Sequence, residues 1–173
     1  MAETRITPHE ILLPVRPGFI ALTLVAALLL NLLPWSGHGL WFKPDFVALV
    51  VLFWCIEAPR RIGFVVAWLL GLTMDVADGT LFGQHALAYT ILAYAGIVLH
   101  RRVRMFAVTS QMLHVVTLLV MNDVIVVTIR ALAGAEFPGF QYFLGSFVGG
   151  ALWPFIGALF RMPQRPQADP DHA

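Results

Sequence analysis

Long apolar stretches alternate along the chain with short clusters of Pro, Gly and charged residues. Six stretches stand out, at residues 17–33, 44–58, 62–77, 85–100, 105–133 and 140–160. Each has the apolar length of a helix and is bounded by breakers or charge. A helix needs about 20 residues to cross a bilayer. The second, third and fourth stretches, at 15 or 16 residues, are short for this, and Leu40, Trp41 and Phe42 are placed to extend the second across a kink at Pro44. The fifth, at 29 residues, must tilt or project. The pattern predicts an all-α polytopic membrane protein with about six transmembrane helices.

Composition agrees. A soluble domain carries roughly 25% charged residues, whereas this chain of 173 residues has 12% charged and 59% hydrophobic ones, with a mean hydropathy of +0.80. A water-soluble chain of this size cannot hide so much apolar surface. A bilayer removes the conflict, because spanning helices satisfy their own backbone hydrogen bonds. The first stretch reads as a retained span, since Leu32-Leu33-Pro34-Trp35 lacks the small-residue pattern of a signal-peptide cleavage site. The single cysteine, Cys55, excludes an internal disulfide framework and any zinc site built on several cysteines. The net charge of +1 gives no footprint for nucleic acid.

The placement of charge says more than its sum. Arg5, Arg16, Arg60, Arg61, Arg101, Arg102, Arg104, Arg161 and Arg165 fall on one set of alternate connections; the other set holds Lys43 and Arg130. Basic residues favour the cytoplasmic side, so nine against two predicts an even number of crossings with both termini cytoplasmic. The expected organisation is a cytoplasmic segment at 1–16, a six-helix transmembrane domain at 17–162 and a cytoplasmic tail at 163–173.

Small and polar residues inside the stretches mark the packing. Gly63, Ala67, Gly71 and Asp75 recur every four residues, which puts them on one helical face where a neighbouring backbone can approach. Gly145 and Gly149, with Ser146 and Gly150 beside them, repeat the device. These faces suit packing within the bundle, or docking of a helix from a partner or a second copy of this chain. Asp75 is costly within a bilayer unless it is partnered. Asp45 follows Pro44 at a helix start, where a carboxylate suits the positive end of the helix. Asp78, Gln84 and His85 are expected at the same level; two carboxylates and an imidazole are metal or substrate chemistry, but Asp78-Gly79 is a turn signal and the spacing fits no metal motif. Gln111, His114 and Asn122 fall within about an 80° arc of the fifth helix, as polar contacts between helices would, with Asp123 off that stripe. Glu57 is expected to pair beside Pro59 with Arg60 and Arg61. No nucleotide loop, catalytic triad or haem site is present, so neither catalysis nor a cofactor is expected.

Several of these residues form a larger pattern. Trp41-Phe42-Lys43-Pro44-Asp45-Phe46 opens a stretch closed by Ala58-Pro59-Arg60-Arg61. Gly71-Leu72-Thr73-Met74-Asp75 precedes Gly79-Thr80-Leu81-Phe82-Gly83, and Gly150-Ala151-Leu152-Trp153-Pro154 stands near the end. Over residues 17–162 the chain resembles the rod-shape-determining protein MreD family, in its proteobacterial branch. The resemblance implies a non-catalytic inner-membrane scaffold of the peptidoglycan elongation machinery. It implies partnership with MreC, which has one membrane span and a periplasmic domain, and through it with the MreB filament and the polymerase/transpeptidase pair. It also implies a fold similar to the substrate-binding subunits of energy-coupling-factor transporters. That likeness supports a second reading, capture of a small molecule or lipid in an outer pocket near Trp35, Trp41 and His85. Asp75 matches the family more firmly than Asp45, where an amide is accepted.

Overall fold

The computed structural model describes residues 16–34, 42–79 and 83–164. Arg5, Trp35, Gly37, Leu40, Trp41, Thr80, Leu81, Phe82 and Arg165 lie outside them. Among the described residues there are six α-helices and no strand: α1 (Pro17–Leu32), α2 (Phe46–Glu57), α3 (Phe64–Ala77), α4 (Gln84–Met105), α5 (Val108–Leu132) and α6 (Leu144–Arg161). A 3₁₀ turn at Phe140–Phe143 leads into α6.

The centre of the bundle is α2. Its residues are apolar all round, and every one from Val47 to Ile56 is at most 4% exposed, as a helix without a polar face must be. It packs against α1, α4, α5 and α6, while α3 lies against α4. Local chemistry sets its ends. Asp45 caps the N-terminus by accepting the Ala48 N–H at 3.0 Å, and Pro59 follows the C-cap Ala58, where a residue before proline leaves the helical region. Pro17 starts α1, as proline suits the first helical position. Gly79 (φ +60°) ends the turn after α3, and Gly83 (φ +98°) is the N-cap of α4; both are left-handed positions that favour glycine.

The helix ends gather in two groups. At one end, Glu57 closing α2 accepts from Arg161 of α6 and lies 3.9 Å from Arg104 of α4. This corrects the expected local pair with Arg60 and Arg61. Just inside this end, Trp54 stacks on Phe160 with centroids 5.7 Å apart, and its indole donates to Thr23 of α1 at 2.9 Å. The described arginines other than Arg130 lie toward this end. The flanks of the bundle are apolar: Leu22, Val25, Val65, Leu113, Phe147 and Phe155 are all more than half exposed. Exposed apolar side chains on α1, α3, α5 and α6 suit a lipid surrounding.

Three expectations change. The fourth helix continues from His100 to Met105, because arginines are good helix formers; the connection to α5 shrinks to Phe106 and Ala107. Phe42 does not extend α2, since Lys43, Pro44 and Asp45 are non-helical. Gly63 is the exposed N-cap of α3 with nothing within 4 Å of a Cβ built on it, so the packing stripe is Ala67, Gly71 and Asp75. Among the described residues, two segments, Val108–Leu132 and Phe140–Arg161, are by length and composition apolar enough to cross a membrane; α1, α2 and α3 are shorter apolar helices.

Candidate functional site

The other end of the bundle is polar, and three carboxylates organise it. Gly71 lets α3 approach α4 closely: a Cβ there would meet the backbone of His85 and Ala86. That approach places Asp75, 1% exposed, under the start of α4. The first N–H groups of a helix lack intrahelical partners, and Gly83 has no side chain to cap them. Asp75 caps them from the preceding helix. Its Oδ2 accepts from Gly83 N at 2.8 Å and Ala86 N at 3.4 Å; its Oδ1 accepts from His85 N at 2.8 Å and lies 2.9 Å from His85 Nδ1. A carboxylate also suits the positive helix end electrostatically.

Asp45 joins three helices. Beyond capping α2, it accepts from Asn31 Nδ2 of α1 at 2.9 Å and from the Tyr89 hydroxyl of α4 at 2.6 Å. Asn31 in turn accepts from Phe46 N at 2.9 Å through its side chain, and from Lys43 Nζ at 2.7 Å through its carbonyl. Asp123 of α5 accepts from the Ser146 hydroxyl of α6.

These groups surround a cavity of about 470 Å³. Asn31, Lys43, Pro44 and Asp45 line one side, Met74, Asp78 and His85 another. Leu119, Asn122 and Asp123 come from α5, and Pro138, Gln141, Tyr142, Gly145 and Ser146 from the entry to α6. The structure thus brings Pro44, Asp45, Asp78, His85, Asn122 and Gly145 together. Asp75 stands behind His85, with its oxygens committed to α4. Gln84 is buried, and its amide finds no partner among the described residues. Among those residues, no group of three or more His, Cys, Asp or Glu is placed to hold a metal ion.

The polar stripe on α5 divides. Gln111 accepts from the Trp153 indole of α6 at 3.1 Å, a contact between helices of the expected kind, whereas His114 bonds its own Ser110 carbonyl and stacks on Phe106. Pro154 sits within α6, beside Trp153. The glycines of α6 face inward. A Cβ on Gly145 would strike the Lys43 carbonyl, one on Gly149 would come within 2.8 Å of Leu119, and one on Gly150 would strike Val116. The face offered to a partner helix is therefore filled from within the chain. Asn31, Gln141 and Tyr142 escape the sequence reading; a lone amide in the apolar run before Pro34 is the signal that marks Asn31.

Fold and cavity together define an all-helical membrane protein whose buried polar groups tie its helices around a chamber at one end. A family model for rod shape-determining protein MreD matches residues 15–163. The rod shape-determining protein MreD of Haemophilus influenzae is 30% identical over 141 residues, covering 82% of this chain and 87% of that protein. No solved structure matches. The chain belongs to the rod shape-determining protein MreD family.

Proposed function

We propose that the protein is a non-catalytic scaffold of the bacterial rod complex in the inner membrane. It joins MreC, and through MreC the MreB filament and the peptidoglycan-synthesising enzymes. All six helices cross, both termini are cytoplasmic, and the chamber faces the periplasm. Family membership supports the cellular role, and the nine-to-two distribution of basic residues supports the orientation. The observation that carries the scaffold reading is the use of the carboxylates: the buried Asp75 and Asp123 and the half-buried Asp45 and Glu57 each hold one element to another. Depletion from a rod-shaped host gives round, widening cells, restored by re-expression, and the tagged protein co-purifies with MreC. Rods that persist after complete depletion, in a strain with no paralogue, refute the assignment.

A second reading, a substrate-binding subunit for a small molecule or lipid, draws on the cavity and on the resemblance to energy-coupling-factor subunits.

A further inference from the structure

The geometry points to a binding site for a primary ammonium group in the chamber, with Asn122 and Asp123 as the groups that receive it. This rests on the ligand-binding reading above and is independent of the scaffold role. At about 470 Å³ the chamber falls in the range of small-molecule pockets, roughly 300–1,000 Å³. Its lining is biased toward acceptors. Among the described lining residues, Asp45, Asp78 and Asp123 contribute three carboxyl groups against one lysine, Lys43; the lysine donates to the Asn31 carbonyl, Asp45 accepts from Asn31, Ala48 and Tyr89, and Asp123 accepts from Ser146. His85 is bonded to Asp75.

Independently of that charge count, Asn122 lines the chamber at 1% exposure and its Oδ1 has no hydrogen-bond partner among the described residues. A buried carbonyl oxygen left without a donor carries the full penalty of its lost hydration. The group that relieves it must bring an N–H or O–H, and the acidic lining favours one that also brings positive charge. A primary ammonium is that group, with three donors and no acceptor. A quaternary ammonium is not, because it has no N–H and is held by aromatic cages, whereas Tyr142 is the one Phe, Tyr or Trp among the described lining residues. The ammonium has two sources, a free amine or the headgroup of an aminophospholipid.

The test uses the full chain in nanodiscs of phosphatidylcholine, which carries no primary ammonium. Ethanolamine is added to one sample and choline to another; a third uses nanodiscs doped with phosphatidylethanolamine. Unfolding temperature and native mass spectrometry are the readouts, since a ligand bound only by the folded state stabilises it. Saturable stabilisation by ethanolamine identifies a free amine, and selective retention of phosphatidylethanolamine alone identifies the lipid; either supports the site, with choline inactive in both. Asn122→Ala weakens binding by about tenfold or more. Asp123→Asn, which keeps shape and an acceptor for Ser146, weakens it as well and carries the test should Asn122→Ala not fold. A folded wild-type chain that retains neither probe, or that binds choline as well as ethanolamine, overturns the inference and leaves a chamber filled with water. Neither result bears on whether the chain assembles with MreC.

Discussion

Asp75 offers the sharpest test of how the polar end is built. Its two oxygens are used differently: Oδ2 serves the backbone of Gly83 and Ala86, and Oδ1 serves the backbone and ring of His85. Asp75→Ala strands three backbone N–H groups at a buried helix end. Hydrogen bonds to a charged acceptor contribute about 1.5–3 kcal/mol each, but neighbours on one carboxylate do not add. Each buried N–H left without its acceptor costs about 1–3 kcal/mol, so the expected loss is about 3 kcal/mol or more. Asp75→Asn is milder without being silent. An amide can accept on only one side, and its NH₂ group must face a backbone N–H that cannot accept. The better orientation keeps Gly83 and Ala86, lets the NH₂ donate to the His85 ring, and loses the His85 N–H, for a cost of about 1–3 kcal/mol. Such losses are large against a typical total stability of about 5–15 kcal/mol. Unfolding by sodium dodecyl sulfate titration in mixed micelles, followed by tryptophan fluorescence, measures both. An Asp75→Ala protein within about 0.5 kcal/mol of wild type would refute the capping role. A functional null from Asp75→Asn at normal stability and abundance would move Asp75 from architecture to chemistry.

Two further outcomes follow from the packing and the charges. Gly150→Leu drives a side chain into Val116, so the variant fails to accumulate as a folded monomer by fluorescence-detected gel filtration; a normal monomer that merely loses MreC would restore the docking role of this face. Topology reporters inserted at Gly79 and Gly134 read periplasmic and those near Arg61, Arg102 and the C-terminus cytoplasmic, and a periplasmic C-terminus breaks the six-crossing arrangement.

Much of the helical architecture is legible because its signals are local. Pro17, Pro59, Gly79 and Gly83 act on the backbone within a residue or two, and the structure puts helix ends beside each. Local reading fails where the partner is remote. Glu57 has Arg60 and Arg61 within four positions, yet its ion pair is with Arg161, 104 positions away. The end of α4 is misjudged for a related reason: hydropathy falls at His100, but helix propensity does not. The chamber is the least legible feature. Its lining runs from Asn31 to Ser146, and no periodicity states which side of α5 meets α6. Glycine stripes have the same ambiguity, since a face that meets another helix of the same chain and one that meets a partner require the same small residues.

The shortness of α2 has an electrical consequence. Twelve residues span about 18 Å, against about 30 Å of hydrocarbon. In the proposed arrangement, hydrated space lies between the outer surface and Asp45. Water conducts where hydrocarbon insulates, so in that arrangement the membrane potential would fall over the length of α2, with a local field about 1.7 times that of the surrounding bilayer. The segment that bears it, from Phe46 to Ile56, contains no ionisable side chain other than the buried thiol Cys55. In that arrangement the central helix would be a thin dielectric seal, with Asp45 and Glu57 as carboxylates at its two ends, holding the potential without a charge to move in it.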